Sequence, residues 1–128
     1  MKHYKEFSEW LDIHLSDKSL EKIKAFCFNC YEGAGEPSTW DMELIGSKEF
    51  NEEDEDWPCP FNEVFNTRDD LLYIPRTEEI FDWEEGLALM KSLVTKYIQR
   101  GKFANKLKGV QAVAIGHVNG DLHILYRS

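Results

Sequence analysis

The stretch DWEEGLALMKSLVTKYIQRG, residues 82–101, predicts one long helix, and the rest of the predicted fold is arranged around it. Asp82 and Glu85 have the spacing of a capping box, with Asp in the place of the usual Ser or Thr. Behind them, apolar residues recur every three or four positions: Trp83, Leu87, Met90, Val94 and Tyr97. Gly101 is a helix-ending residue. We therefore expect an amphipathic helix with one face packed on other elements.

After the helix, two apolar runs at 110–118 and 121–126 flank Asn119-Gly120, a dipeptide that favours a type I′ hairpin turn. The sequence therefore predicts a closing β-hairpin. A two-residue turn places three pairs on the core side: His117 with Leu122, Ile115 with Ile124 and Val113 with Tyr126. His123 and Leu125 then face the opposite side.

Before the long helix, residues 3–16 carry apolar side chains at helical spacing and predict an amphipathic helix. Residues 23–32 are rich in aromatic residues and Cys, and residues 39–46 alternate apolar with polar side chains. Both patterns are typical of strands, which we expect to pair as an antiparallel hairpin. Residues 47–70 show no period and predict a long acidic loop, and 71–75 predict a short strand that ends at a proline.

This order of elements predicts a single α+β domain over residues 1–128. We expect a mostly antiparallel sheet, with the N-terminal helix and the long helix packed on it and a hairpin at the end. The 128 residues, of which 42% are hydrophobic, suffice for one core.

Composition restricts the compartment and the partners. No stretch reaches the roughly 18 apolar residues of a membrane span, and the first residues do not form a signal peptide. Three cysteines, an odd number, favour reduced thiols over disulfides. The pI near 4.9 disfavours nucleic acid as a partner. We therefore expect a cytoplasmic protein that binds neither a membrane nor a nucleic acid.

Two residue sets could carry chemistry. Cys27 and Cys30 have the spacing of half a zinc site or a redox pair, but residues three apart on a strand project from opposite faces. We interpret both cysteines as buried structural residues. His117 and His123 are expected on opposite faces of the hairpin, with no nucleophile in a recognisable motif. We therefore expect no catalytic residue, no metal site and no cofactor.

Charge is distributed by region. Residues 41–85 contain 16 acids and three bases, whereas residues 86–128 contain one acid and seven bases. The acids are densest from Glu49 to Asp56, and four aromatic residues lie within or just after this run: Phe50, Trp57, Phe61 and Phe65. Large rigid side chains among charges are typical of a protein-binding surface. The alternatives are a solvated loop, and aromatic residues that anchor it to the core.

Three segments carry a family resemblance: residues 52–57, residues 62–69 (NEVFNTRD) and residues 109–126 (GVQAVAIGHVNGDLHILY). With them, the chain resembles the immunity proteins of bacterial toxin systems, including contact-dependent inhibition and related polymorphic toxins. The resemblance implies a protein that binds and neutralises a cognate basic, nuclease-like toxin. The partner-binding residues would be Glu52, Glu53, Asp54, Glu55, Asp56, Trp57 and Phe61. The acids would meet toxin Lys and Arg residues, and Trp57 and Phe61 would be apolar anchors.

Two other functions stay open. The protein could be an adaptor of another kind that uses a sheet edge or the basic helix face of Lys91, Lys96 and Arg100. It could also be a small enzyme with a carboxylate site, which would require a deep pocket with convergent acids.

Overall fold

The computed structural model describes residues 3–33, 38–118 and 120–128, without the side chains of residues 18 and 19. The α-helices of this part are α1 (Tyr4–Leu15), α2 (Trp83–Arg100) and α3 (Ala104–Lys108). The strands are β1 (Ala25–Glu32), β2 (Thr39–Ser47), β3 (Glu63–Asn66), β4 (Leu72–Pro75), β5 (Ala112–His117) and β6 (His123–Arg127). Short 3₁₀ helices lie at Lys18–Lys22, Pro60–Asn62 and Glu78–Ile80.

The strands form one mixed sheet in which β2, β1, β5 and β6 are successive neighbours. Both β3 and β4 pair with β2, β4 along its first half and β3 at its end. Every pair is antiparallel except β1 with β5, which is parallel. A parallel pair requires a long connection, and the chain between these strands includes α2 and α3. The predicted α+β domain with a mostly antiparallel sheet is confirmed.

The main core lies between the helices and one face of the sheet. Its buried members include Phe7, Leu11, Phe26, Phe28, Trp40, Met42, Met90 and Tyr97. The predicted capping box is present: the Asp82 carboxylate accepts a hydrogen bond from the Glu85 N–H at 2.8 Å, and the Glu85 carboxylate accepts from the Asp82 N–H at 3.3 Å. Near the start of α2, position 86 has no room for a larger residue than glycine, because a Cβ there would lie 2.6 Å from the Trp40 ring.

The opposite face of the sheet has a smaller apolar cluster of its own. It consists of Ala25, Cys27, Ile45, Ala112 and Ala114 from the strands, with Trp57 from the connection after β2. Phe50 and Leu122 pack against its edge. The small strand residues leave room for the indole of Trp57, so the acidic segment lies across this face.

The segment predicted as an irregular loop over 47–70 contains a strand. β3 extends the sheet, with Phe65 opposite Gly46 and Glu63 opposite Ser47. At four residues, β3 is too short to show a clear period in the sequence. The prediction of a continuous loop was therefore wrong in its second half.

The closing hairpin is present, but its predicted register is right only at Val113 and Tyr126 and is wrong nearer the turn. Val113 lies opposite Tyr126 as expected, whereas Ile115 pairs with His123 and Ala114 with Ile124. A β-bulge causes the shift, because Leu125 is an extra residue in β6. Ile124 is consequently 38% exposed instead of buried. The predicted type I′ turn depends on Asn119, which lies outside the described residues.

Candidate functional site

The run Glu49–Asp56, which we call the acidic loop, lies on the sheet face opposite the helices. The side chains of residues 51–56 are exposed. Two side chains inside the loop hold its backbone: Asn51 accepts a hydrogen bond from the Glu53 N–H at 3.0 Å, and Asp54 accepts from the Asp56 N–H at 2.9 Å. The loop therefore has a defined path, which fixes where its carboxylates are presented.

Trp57 anchors the end of this loop. Its side chain is only 3% exposed, and its ring centroid lies 5.3 Å from that of Phe50. The Trp57 carbonyl oxygen accepts a hydrogen bond from the Asn62 amide at 3.0 Å, and the Ser47 hydroxyl lies 3.2 Å from the same oxygen. The side chain is covered by its own protein, which supports the structural alternative for this residue.

The other three aromatic residues of this region differ in how far their side chains are exposed. Phe65 is buried and Phe50 packs against Trp57, whereas Phe61 is 84% exposed. The Lys48 ammonium lies 5.1 Å from the centroid of the Phe61 ring. Of the two apolar anchors that the resemblance implied, only Phe61 is therefore open to a partner.

The predicted acidic residues differ in their contacts within the protein. Glu52 forms an ion pair with Arg127, and the Glu55 carboxylate accepts a long hydrogen bond, 3.4 Å, from the Leu122 N–H. Among the described residues, Glu53, Asp54 and Asp56 form no ion pair. These three carboxylates are therefore available for cations of another molecule.

A second feature is a cleft of about 930 Å³ at the N-terminal end of α2. The carboxyl ends of the parallel strands β1 and β5 also border it. Its lining includes Glu32, Trp83, Glu84, Lys91, Asp121 and His123. Among the residues that the structure describes, three carboxylates and one ammonium group thus border the cleft, and the Trp83 side chain is 53% exposed.

His117 lies in the wall of the cleft and contacts the rings of two tryptophans. Its ring centroid lies 5.6 Å from Trp40 and 5.8 Å from Trp83, and its Nε2 lies 3.0 Å from the Trp83 carbonyl oxygen. The imidazole therefore donates this hydrogen bond and holds the start of α2. His117 and His123 line the same cleft, so the prediction that they lie on opposite faces was wrong. The bulge in β6 is the reason.

Next to the cleft, Arg76 lies between two aromatic rings. The centre of its guanidinium is 4.5 Å from the centroid of the Trp40 ring and 4.7 Å from that of the Phe81 ring. Its Nε donates to the Phe81 carbonyl oxygen at 2.6 Å, and its Nη1 lies 3.6 Å from a carboxylate oxygen of Glu32. The protein thus already binds one guanidinium with aromatic faces and an acid.

Glu43 is a buried carboxylate with a full set of partners. It is 1% exposed and accepts from Arg68 Nε at 2.7 Å, Tyr31 Oη at 2.6 Å and Asn29 Nδ2 at 3.3 Å. Arg68 also binds Glu63, at 2.9 Å. Burial, followed by the bond to Glu43, raises the pKa of Tyr31. These contacts satisfy the carboxylate as a structural group.

The two cysteines lie on opposite faces, as predicted: Cys30 in the main core and Cys27 in the smaller cluster. Burial, with a smaller contribution from the charge of Glu43, raises the pKa of the Cys27 thiol to about 12. Burial also raises the pKa of Cys30. Within residues 3–33, 38–118 and 120–128, no group of three or more His, Cys, Asp or Glu side chains could hold a metal ion.

No protein family, curated protein or solved structure matches this chain. Among the described residues, no helix is long and apolar enough to cross a membrane.

Sequence reasoning missed the cleft. The segment 77–86, TEEIFDWEEG, carries five acids and the aromatic residues Phe81 and Trp83, which are 62% and 53% exposed. Residues 49–57 have the same combination of acidic and aromatic residues. Trp83 fits the apolar stripe of the predicted helix, so it was predicted to be a core residue and not part of a binding surface.

Proposed function

We propose that this protein binds a basic protein partner through the acidic loop and Phe61, and neutralises it as an immunity protein neutralises its toxin. One observation carries the proposal: Glu53, Asp54 and Asp56 are exposed and form no ion pair within the described structure, on a loop anchored by the buried Trp57. An anchored loop loses little conformational entropy on binding, which favours affinity.

Charge supports the choice of a basic partner. The segment 41–85 has 13 more acids than bases, and the acidic loop is its densest part. A surface of one sign attracts a partner of the opposite sign and raises the association rate, most strongly at low ionic strength. Phe61 would supply the apolar contact that charges alone lack. A nuclease-like toxin fits this chemistry, because a cleft that binds phosphates is lined by Lys and Arg.

The test uses charge reversal with a matched control. Glu53→Lys with Asp56→Lys removes two loop carboxylates whose side chains form no ion pair among the described residues. Glu6→Lys with Glu9→Lys makes the same change in net charge on exposed positions of α1. The partner assayed is a basic protein encoded by a reading frame next to this one. We expect the loop variant to lose about tenfold or more in association rate at low salt, and the control to lose far less.

Co-expression adds a functional readout. The wild-type protein and the α1 control should restore growth to cells that produce the basic protein, and the loop variant should not. Growth restored equally by all three proteins would contradict the proposal.

The adaptor alternative uses a different surface and can be separated from this one. Lys91, Lys96 and Arg100 lie along one shallow groove beside Leu125. Lys91→Glu with Arg100→Glu reverses its charge. Loss of partner binding by this variant, with binding retained by the loop variant, would favour the adaptor.

A further inference from the structure

We propose that the cleft at the N-terminal end of α2 binds an arginine side chain of the partner, with the guanidinium stacked on Trp83. The inference rests on the proposed function in one respect, that the partner is a basic protein. It adds a second contact surface, distinct from the acidic loop, and names the side chain recognised there.

The charge of the lining favours a cation. Glu32, Glu84 and Asp121 contribute carboxylates, and Lys91 is the one Lys or Arg among the described residues of the lining. Glu84 and Asp121 are exposed, and among the described residues neither forms an ion pair. Glu32 is paired with Arg76, but the unpaired carboxylates of Glu84 and Asp121 still outnumber the ammonium group of Lys91 among the described lining residues, a balance of charge that favours a cation.

Trp83 supplies the aromatic surface. About half of its side chain is exposed. The ring contacts His117 on one side and borders the cleft, which Leu87 and Ala88 also line. An indole face is the strongest of the aromatic cation-binding surfaces. Because His117 and the first turn of α2 hold the backbone of Trp83 in place, little ordering is needed when a ligand binds.

Arg76 shows, inside this same protein, the arrangement that we infer for the ligand. Its guanidinium contacts the faces of Trp40 and Phe81, and it pairs with Glu32, which also lines the cleft. Trp83 and Glu84 both line the cleft, so an aromatic side chain and a carboxylate border the same space. The partner's guanidinium would bind there, beside the site that holds Arg76.

Guanidinium is favoured over ammonium for a geometric reason. A planar guanidinium stacks on a ring while its edge donates to a carboxylate, whereas an ammonium is a compact and strongly hydrated charge. The cleft should therefore distinguish arginine from lysine. The acidic loop attracts cations through its net charge, so it should not distinguish arginine from lysine.

The experiment titrates hexa-arginine and hexa-lysine peptides into the ¹⁵N-labelled full-length protein and follows the indole resonances by NMR. We expect hexa-arginine to shift the Trp83 indole signal and the Glu84 amide, and to bind about threefold more tightly than hexa-lysine at equal salt. Trp83→Ala and Glu84→Gln should each remove this preference, and Trp83→Phe should retain part of it. The spectrum of each variant also verifies its fold.

The loop variant with Glu53→Lys and Asp56→Lys separates this inference from the proposed function. It should bind both peptides more weakly but keep the preference for arginine and the Trp83 shift. An unchanged Trp83 signal, or equal affinity for the two peptides, would overturn the inference. The proposed function would still stand if the loop variant lost its protein partner.

Discussion

Glu52 in the acidic loop and Arg127 in the last strand form an ion pair that joins the most acidic segment of the chain to its basic C-terminal third. Both side chains are about half exposed, 51% and 52%. Such a pair contributes about 0 to 1 kcal/mol to stability, because solvent screens it. The loop is therefore positioned mainly by the buried Trp57, and the ion pair leaves most of the acidic charge of the loop available.

Replacing Trp57 should destabilise the protein strongly, whereas replacing Phe61 should have little effect on stability. Trp57→Ala removes a buried indole from the smaller core and should lower the free energy of unfolding by about 3 kcal/mol or more. Phe61→Ala changes an exposed ring and should cost less than about 1 kcal/mol. Denaturant titration measures both. Equal losses for the two variants would contradict the placement of these rings.

Gly86 should resist replacement although it lies in a helix. Alanine usually stabilises a helix by about 1 kcal/mol relative to glycine. Here its Cβ would lie 2.6 Å from the fully buried Trp40, so Gly86→Ala should destabilise the protein by about 1 to 3 kcal/mol. Ala88→Gly, an exposed position two residues further along α2, is the control for helix propensity and should cost about 1 kcal/mol. A Gly86→Ala protein more stable than wild type would show that Trp40 can move.

Stability should fall at alkaline pH because of the buried thiols. Below about pH 8.5 a thiol is protonated in both the folded and the unfolded chain, so stability is unaffected. Between there and a pKa of about 12 for Cys27, the unfolded chain releases the proton while the folded protein retains it. Ionisation then favours unfolding, and stability decreases as the pH rises.

The effect can be assigned by mutation. Cys27→Ala should reduce the loss of stability between pH 8.5 and 10 by about 1 to 2 kcal/mol. Cys59→Ala, at a partly exposed cysteine, should leave the loss as in wild type. Urea titrations at several pH values measure the free energy of unfolding of each protein. A loss that is the same in all three proteins would exclude Cys27 as its source.

The sequence predicted the elements whose signals are local. The capping box of Asp82 with Glu85 and the apolar stripe of α2 lie within a few turns, so the pattern alone defines that helix. The opposite faces of Cys27 and Cys30 follow from the strand period. These predictions needed no knowledge of the other elements.

The features that the sequence did not predict depend on tertiary contacts. The extra residue Leu125 in β6 shifts His123 to the face of His117, and no local pattern marks such a bulge. The burial of Trp57 depends on small residues in two strands, β1 and β5, and on Ile45 in a third, which only the folded sheet brings together. Of the candidate site, the acidic charge was therefore predictable, whereas the cleft and the exposed aromatic residues were not.

Binding of a basic partner through the acidic loop is tested by a quantitative pull-down from the source cells, read by mass spectrometry, with three immobilised proteins. These are the wild type, the loop variant with Glu53→Lys and Asp56→Lys, and the α1 control with Glu6→Lys and Glu9→Lys. If the acidic loop binds the partner, the wild type and the control should recover one basic protein about tenfold or more above the loop variant. Recovery of the same partner by the loop variant at the wild-type level would contradict it.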